Sequence, residues 1–191
     1  MTADGGPGSL AGQLLVATPA TGAFFHRSVV LMLHHDEDGA TGITLNKPMA
    51  AEVSAVLPEW QPHVTPPGVL FQGGPVQMDS AMGLVSVPGG EAAQTEALGI
   101  AMLFGGLALV DLDAPPPVVV PELAGLRIFV GYAGWGAGQL EAELIEGAWY
   151  VVERDSRDPF HESSDLWREV LVRQRNSLSL VANYTMHPEQ N

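Results

Sequence analysis

Short runs of apolar and β-branched residues, closed by Gly, Pro or acidic stretches, dominate this chain and are typical of β-strands. The first run is Leu14–Ala17, and Ser28–His34 and Gly42–Leu45 follow on either side of the polar stretch 36–39. These segments predict one strand and then a β-hairpin with a loop of several residues. Pro48 is expected to end the hairpin, because proline has no backbone donor.

The rest of the pattern predicts a sheet with few helices. Further strands are expected at 69–72, 83–87, 107–112, 126–130 and 148–152, and helices at 52–57, 139–146 and 165–175, the last one capped by Ser163-Ser164. Residues 91–104 are predicted to be a loop, because glycines interrupt their alanine-rich pattern, and 115–117 a stiff proline connector. Strands outnumber helices without alternating with them, which favours an α+β fold over a doubly wound parallel sheet.

Chain length and composition indicate a single globular domain. The 191 residues are 46% hydrophobic and 16% charged, and one domain is expected at 10–185 with flexible tails at 1–9 and 186–191. The longest mostly apolar stretch, 99–110, is too short to cross a bilayer, and residues 1–9 do not resemble a signal peptide. Since cysteine is absent, disulfides and a cysteine nucleophile are excluded. We therefore expect a cytoplasmic protein without a membrane span.

The net charge of −14 argues against direct nucleic-acid binding, which depends on Lys and Arg neutralising phosphates. Only eight residues are Lys or Arg, and Lys47 is the only lysine. Lys47 could form a Schiff base if burial lowered its pKa, but its position before a proline is more typical of a surface lysine.

The glycine-rich run Gly131–Glu143 lies between a predicted strand and a predicted helix, where such loops can hold phosphates. Its spacing fails the dinucleotide fingerprint, because Gln139 occupies the place of the third glycine. Glu141 and Glu143 would also repel an anion at the start of the helix. The run therefore predicts a packing role for Tyr132 and Trp135, with glycines allowing close approach, more than an anion site.

Other motifs supply no catalytic or metal-binding pattern. His34 and His35 are adjacent on a strand, so they should point to opposite faces and cannot readily share a metal. Asp36-x-Asp38-Gly39 has its glycine too early for a calcium loop, and no Gly-x-Ser-x-Gly elbow occurs. No metal and no cofactor are predicted.

Several segments together resemble the YqgE/AlgH family. They are Gly12-Gln-Leu-Leu-Val-Ala-Thr-Pro19, Phe25-x-Arg27-Ser-Val-Val30, His35 through Asn46-Lys-Pro48, Phe71-Gln-Gly-Gly-Pro-Val76, and Gly131-Tyr-Ala-Gly-Trp-Gly-Ala-Gly-Gln-Leu-Glu141 with Trp149 beyond. The resemblance implies an α+β fold with a closed or strongly curved mixed β-sheet flanked by short helices. It implies no catalytic residues or cofactor, although one branch of the family is labelled a transcriptional regulator of polysaccharide synthesis. The C-terminal segment 177–191 departs from the family pattern.

Three hypotheses for function remain. The first is a non-enzymatic cytoplasmic protein that binds another protein or a small molecule and affects transcription at most indirectly. The second is an enzyme or binding protein with a polar pocket between the first hairpin and the glycine-rich run. Its candidate ligand-binding residues are Arg27, His35, Asn46, Lys47, Trp135, Gln139 and Glu141. In the third, the motifs only build the fold or a homodimer contact, and Trp135 and Tyr132 should then be buried against the hairpin or a second copy of the chain.

Overall fold

The computed structural model describes residues 8–89 and 92–183, and strands make up most of its regular structure. Its strands are β1 (Leu14–Ala17), β2 (Val29–Asp36), β3 (Gly39–Thr44), β4 (Pro48–Glu52), β5 (Val69–Gln72), β6 (Val76–Ser86), β7 (Ile100–Phe104), β8 (Leu107–Val110), β9 (Gly125–Gly136) and β10 (Trp149–Val152). Its α-helices are α1 (Ala92–Ala97), α2 (Pro116–Val119), α3 (Gln139–Ile145), α4 (Leu166–Arg173) and α5 (Leu178–Val181). All five helices are short, as the sequence predicts.

The strands form one curled sheet in the order β10-β1-β2-β3-β9-β6-β8-β7, with β4 and β5 joined to it through β9. The β5–β9 pair is parallel and the other pairs are antiparallel. The prediction of an α+β fold with a strongly curved mixed sheet is therefore confirmed. The curvature passes through β9, whose N-terminal part pairs with β6 and whose C-terminal part pairs with β3. Gly131 lies between these parts with φ of +68°, a conformation that glycine adopts without strain.

The largest core lies between the sheet and α4. Leu14 and Leu31 of the sheet are fully buried there, together with Leu166, Trp167 and Val170 of α4. The Trp167 indole donates to the carbonyl oxygen of Ala17 at 2.8 Å, so its polar edge is satisfied in the core. Helix α4 is thereby fixed across β1, and burial of each large apolar side chain contributes roughly 1.5–3 kcal/mol.

A smaller core lies on the other face of β1 and β2, beneath α3. Leu15 and Val30 are fully buried in it with Leu140 of α3, and the indoles of Trp135 and Trp149 are nearly so. Alternate residues of β1 and β2 therefore face two different cores, which explains why these strands read as continuous apolar runs.

Two segments differ from the sequence prediction in where their turns lie. The predicted loop 91–104 contains α1 and β7, joined at Gly99, which has φ of +77°. Its glycine therefore separates two regular elements instead of preventing them. The hairpin loop predicted to have several residues is a turn of two, Glu37 and Asp38, because β2 and β3 extend to Asp36 and Gly39.

Three further predictions concern segments next to proline. The hairpin ends at Thr44, before Pro48, and Pro48 begins a new strand, β4, which among the described residues is an edge strand paired only with β5. The predicted helix 52–57 is reduced to the 3-10 turn Val53–Ala55. In the predicted connector 115–117, Pro115 is the N-cap of α2, and Pro116 and Pro117 lie in its first turn, where proline is accepted because its missing N–H has no helical partner.

The glycine-rich run is strand for half of its length. Strand β9 continues to Gly136, so only Ala137 and Gly138 form a loop before α3. The predicted helix at 139–146 is present as α3, and Gly147 follows with φ of +77°. Helix α4 is also present, but its cap is Asp165, which accepts from the Arg168 N–H at 3.3 Å, and not Ser163-Ser164.

The predicted tails lie largely outside the described residues. Ser9, at the end of the predicted N-terminal tail, donates its hydroxyl to the His35 carbonyl oxygen at 3.0 Å. In the part of the chain that the structure describes, none of the helices combines the length and apolar character that a membrane span requires.

Candidate functional site

The seven candidate residues fall into two groups at opposite ends of the β2–β3 hairpin. His35 lies near its turn, where α3 brings Gln139 and Glu141 alongside it. Asn46 lies at the open end, where its side chain contacts Arg27 and Val29. The strand between Val29 and His35 spans about 20 Å. The structure therefore brings part of the candidate set together and places Arg27, Asn46 and Lys47 apart from it.

Both ring nitrogens of His35 are engaged. Nδ1 accepts from the Leu10 N–H at 3.1 Å, so the ring hydrogen lies on Nε2, which donates to Glu141 Oε1 at 2.7 Å. The His35 side chain is only 10% exposed. This imidazole joins the segment before β1 to α3, and neither nitrogen is left to move a proton for a substrate.

Glu141 is the carboxylate of this pair and is half exposed. The hydrogen bond from His35 lowers the pKa of Glu141 below its ordinary value of 4.5, and the backbone N–H at the start of α3 adds to this effect. The carboxylate is therefore stabilised in its charged form by the contact that holds α3 against the hairpin. His34 points away from His35 and pairs at 2.7 Å with Asp36 on the exposed side of the strand.

Glu143 joins two strands to α3 through its carboxylate. Its Oε2 accepts from the indole N–H of Trp135 at 2.9 Å and from that of Trp149 at 2.8 Å, while Gln139 donates to Oε1 at 3.1 Å. Gln139 also accepts from the Gly136 N–H through its amide oxygen. We call Trp135, Gln139, Glu143 and Trp149 the glutamate clamp. Hydrogen bonds to a charged acceptor are the stronger kind.

Sequence reasoning did not assign this role to Glu143. It treated the glutamate as a complement to the helix dipole. A usable signal was present, because Gln139 and Glu143 are four residues apart on one helical face and the buried tryptophans need acceptors for their indole N–H groups. The predicted packing role of Trp135 is observed, since its side chain lies in the core beneath α3.

Asn46 completes the strand pairing at the open end of the hairpin. Its Oδ1 accepts from the Val29 N–H at 2.9 Å, and its Nδ2 donates to the Arg27 carbonyl oxygen at 2.8 Å. The side-chain amide therefore takes the place of a paired backbone residue. Both ends of the amide are engaged, which assigns Asn46 to the fold of the hairpin.

The two cations at the open end of the hairpin, Arg27 and Lys47, lie over aromatic rings. Lys47 Nζ is 4.2 Å from the centroid of Phe24, and the Arg27 guanidinium carbon is 5.0 Å from that of Trp167. Partial burial lowers the pKa of Lys47, as expected for an ammonium that exchanges water for a ring face.

An open depression of about 440 Å³ lies beside His35. It is lined by Gly8, Ser9, His35, Asp36, Glu37, Asp38 and Glu141. Glu141 is already bonded to His35 and Asp36 to His34. Within residues 8–89 and 92–183, no three acidic or histidine side chains are grouped as metal ligands.

Arg127 is a buried cation in β9. It is 1% exposed and donates to the carbonyl oxygens of Pro66 at 2.7 Å and Pro159 at 3.2 Å. Its guanidinium lies 4.3 Å from the Phe71 ring centroid. Burial lowers the pKa of Arg127 to about 10. These contacts join two proline-containing loops to the sheet, which is a structural role.

The curled sheet, with α3 held against it by the glutamate clamp, is a small α+β fold. In this fold the side chains of the glycine-rich run and of the first hairpin contact one another. Residues 14–179 match the model of a family described as AlgH-like, and the chain belongs to this family. It is similar to UPF0301 proteins of Streptomyces coelicolor, at 52% identity over 96% of both chains, and of Thermobifida fusca, at 42% identity over 96% of both. The function of this family is uncharacterised.

Two solved structures are similar to the whole fold. One is the crystal structure of a Corynebacterium diphtheriae protein, with TM-score 0.83, 35% identity and coverage of 91% of this chain and 92% of that one. The other is the solution structure of the AlgH protein of Pseudomonas aeruginosa, with TM-score 0.69, 27% identity and coverage of 96% and 98%.

Proposed function

We propose that this chain is a cytoplasmic, non-enzymatic protein that acts by binding another protein. The observation that carries the proposal is that the polar groups of the signature motifs are engaged with one another. His35 uses both ring nitrogens, Asn46 both ends of its amide, and Glu143 accepts three donors. A catalytic group needs a free donor or acceptor facing its substrate.

A shared ligand pocket has less support. The candidate residues lie at two ends of a hairpin about 20 Å long, and the depression beside His35 is open and bordered by carboxylates. Any effect on transcription would pass through the protein partner, because the net charge of −14 opposes contact with DNA.

Native mass spectrometry of the protein purified gently from its own host tests the proposal. The expected result is a complex with a second polypeptide, and no small molecule bound in stoichiometric amount. A small molecule present at one copy per chain and released by denaturation would contradict it, as would salt-sensitive binding of duplex DNA at physiological ionic strength.

A further inference from the structure

Strand β10 forms one free edge of the sheet. Among residues 8–89 and 92–183, it is the terminal strand of the sheet order and pairs only with β1. It follows the short turn after α3, and its residues Trp149, Tyr150, Val151 and Val152 include neither a charge nor a proline. Natural sheets usually place such residues on an exposed edge to prevent pairing with another chain.

The hydrogen-bond register shows which main-chain groups face outward. The Thr18 N–H donates to the Ala148 carbonyl oxygen at 3.0 Å, so the Ala148 carbonyl faces β1. In an antiparallel ladder every second residue directs its N–H and C=O groups toward the partner strand, so those of Tyr150 and Val152 also face β1. Trp149 and Val151 then direct their N–H and C=O groups to the free side. Within the described residues, these outward groups of Trp149 and Val151 have no hydrogen-bond partner.

Side chains and charges around the edge favour one kind of partner. Val151 is 37% exposed, so an apolar side chain can pack against it. The exposed Glu146 lies before the strand and the exposed Glu153 directly after it. A basic strand complements these two carboxylates, whereas a second copy of this chain would add another charge of −14.

We propose that β10 is a docking edge for an extended segment of a partner protein. The segment pairs antiparallel with Trp149–Val152, places an apolar residue against Val151 and carries Lys or Arg at the end beside Glu146. The outward groups of Trp149 and Val151 offer two donors and two acceptors, the main-chain recognition used in β-strand addition. This inference rests on the proposed function, because it assumes that the ligand is a protein.

Proline at residue 151 provides a selective test. Val151 directs its N–H away from β1, so Val151→Pro removes a docking donor and leaves the ladder to β1 intact. Linear peptides of about 12 residues, selected by phage display against the full chain, serve as probes. The expected peptides alternate apolar residues and end in Lys or Arg. Their Kd should rise at least about tenfold for Val151→Pro, while circular dichroism shows that the variant remains folded.

Two further variants distinguish peptide binding at the β10 edge from nonspecific binding to exposed apolar side chains and from binding by charge alone. Leu180→Thr removes a side chain that is 74% exposed on α5, and it should leave peptide binding unchanged. Glu146→Lys should raise the Kd about threefold at low salt, and the difference from wild type should disappear at high salt, where surface charges are screened.

Three outcomes with the purified protein would overturn the docking proposal: equal peptide binding by wild type and Val151→Pro, absence of any selected peptide, or a wild-type dimer that Val151→Pro converts to a monomer. The last result would assign the edge to a second copy. If the complex from the host survives in Val151→Pro, the docking edge is wrong while the protein-binding function stands. If only a small molecule is found in the host, the proposed function itself fails.

Discussion

Trp149 belongs both to the glutamate clamp and to the β10 edge, and its side chain and main chain face in different directions. The Trp149 indole points inward and donates to Glu143 at 2.8 Å, whereas its main chain lies on the free side of the sheet. In the clamp, the polar side chains are hydrogen-bonded to one another. At the edge, the outward main-chain groups of Trp149 and Val151 have no hydrogen-bond partner within the part of the chain that the structure describes. The side chains of the clamp thus hold α3 against β9 and β10, whereas the main-chain groups at the edge face away from the sheet.

The largest expected effect comes from removing the clamp carboxylate. Glu143→Ala leaves the nearly buried indole N–H groups of Trp135 and Trp149 without their acceptor, and we expect the free energy of unfolding to fall by about 3 kcal/mol. Urea denaturation followed by circular dichroism measures this loss.

Glu146→Ala is the matched control for this experiment. It removes an exposed carboxylate from the end of the same helix and should change stability by less than about 0.5 kcal/mol. Equal losses in the two variants would mean that the clamp does not stabilise the fold.

The two faces of β10 should respond differently to proline. Tyr150→Pro removes a main-chain donor that faces β1 and leaves a carbonyl of β1 unpaired, whereas Val151→Pro removes one that faces outward. We expect Tyr150→Pro to be less stable than Val151→Pro by about 2 kcal/mol. Thermal and urea unfolding of the purified pair provide the comparison, and a greater loss in Val151→Pro would refute the register.

Acid should weaken the contact between α3 and the hairpin. The pKa of Glu141 is lowered from 4.5 chiefly by the His35 hydrogen bond, so its contribution to stability is complete above pH 4.5 and decreases as the pH falls through the lowered value. Glu141→Gln cannot titrate, and its stability should therefore depend less on pH below 4.5 than that of the wild type.

Urea midpoints between pH 3 and pH 7 measure this difference. Glu59→Gln removes an exposed carboxylate with the same change of charge and serves as the control. If the urea midpoint of the wild type fell below pH 4.5 in the same way as that of Glu141→Gln, the His35–Glu141 contact would not stabilise the folded state.

The smallest effect is expected at the exposed side chain of the edge. Val151→Thr keeps the β-branched shape and changes a side chain that is 37% exposed, so the free energy of unfolding should change by less than about 0.5 kcal/mol. A loss above about 1.5 kcal/mol, measured by urea denaturation, would show that Val151 is a core residue and would weaken its assignment to a docking surface.

Most of the strands could be predicted locally, and the errors have local causes. Apolar runs such as Leu14–Ala17 are bounded by turn residues, and the pattern itself marks them as strands. Residues 91–104 were mispredicted because a glycine can join two elements as well as break one, and only contacts with β8 distinguish these cases. The strand character of Gly131–Gly136 depends on pairing with β3 and β6, which lie far away in the chain.

The candidate site was predicted as a set of residue types but not as an arrangement. Sequence reasoning selected His35, Gln139 and Glu141 as neighbours, and the structure places them near one another. It grouped Asn46 with them as well, although the amide replaces a strand pair at the far end of the hairpin. Hydrogen-bond partners depend on packing between segments that are distant in the chain, so they cannot be assigned from the residue types alone.

The α+β class, the family and the acidic character can be assigned without a structure, because they depend on periodicity, motif order and composition. The folded structure was needed to show that Glu143 accepts from two indole donors, that both nitrogens of His35 are hydrogen-bonded, and that β10 lies at an edge of the sheet within the described residues. Strand order and hydrogen-bond partners depend on contacts between residues that are distant in the chain. These contacts stabilise the protein only when the sheet has formed, so a local sequence pattern does not contain them.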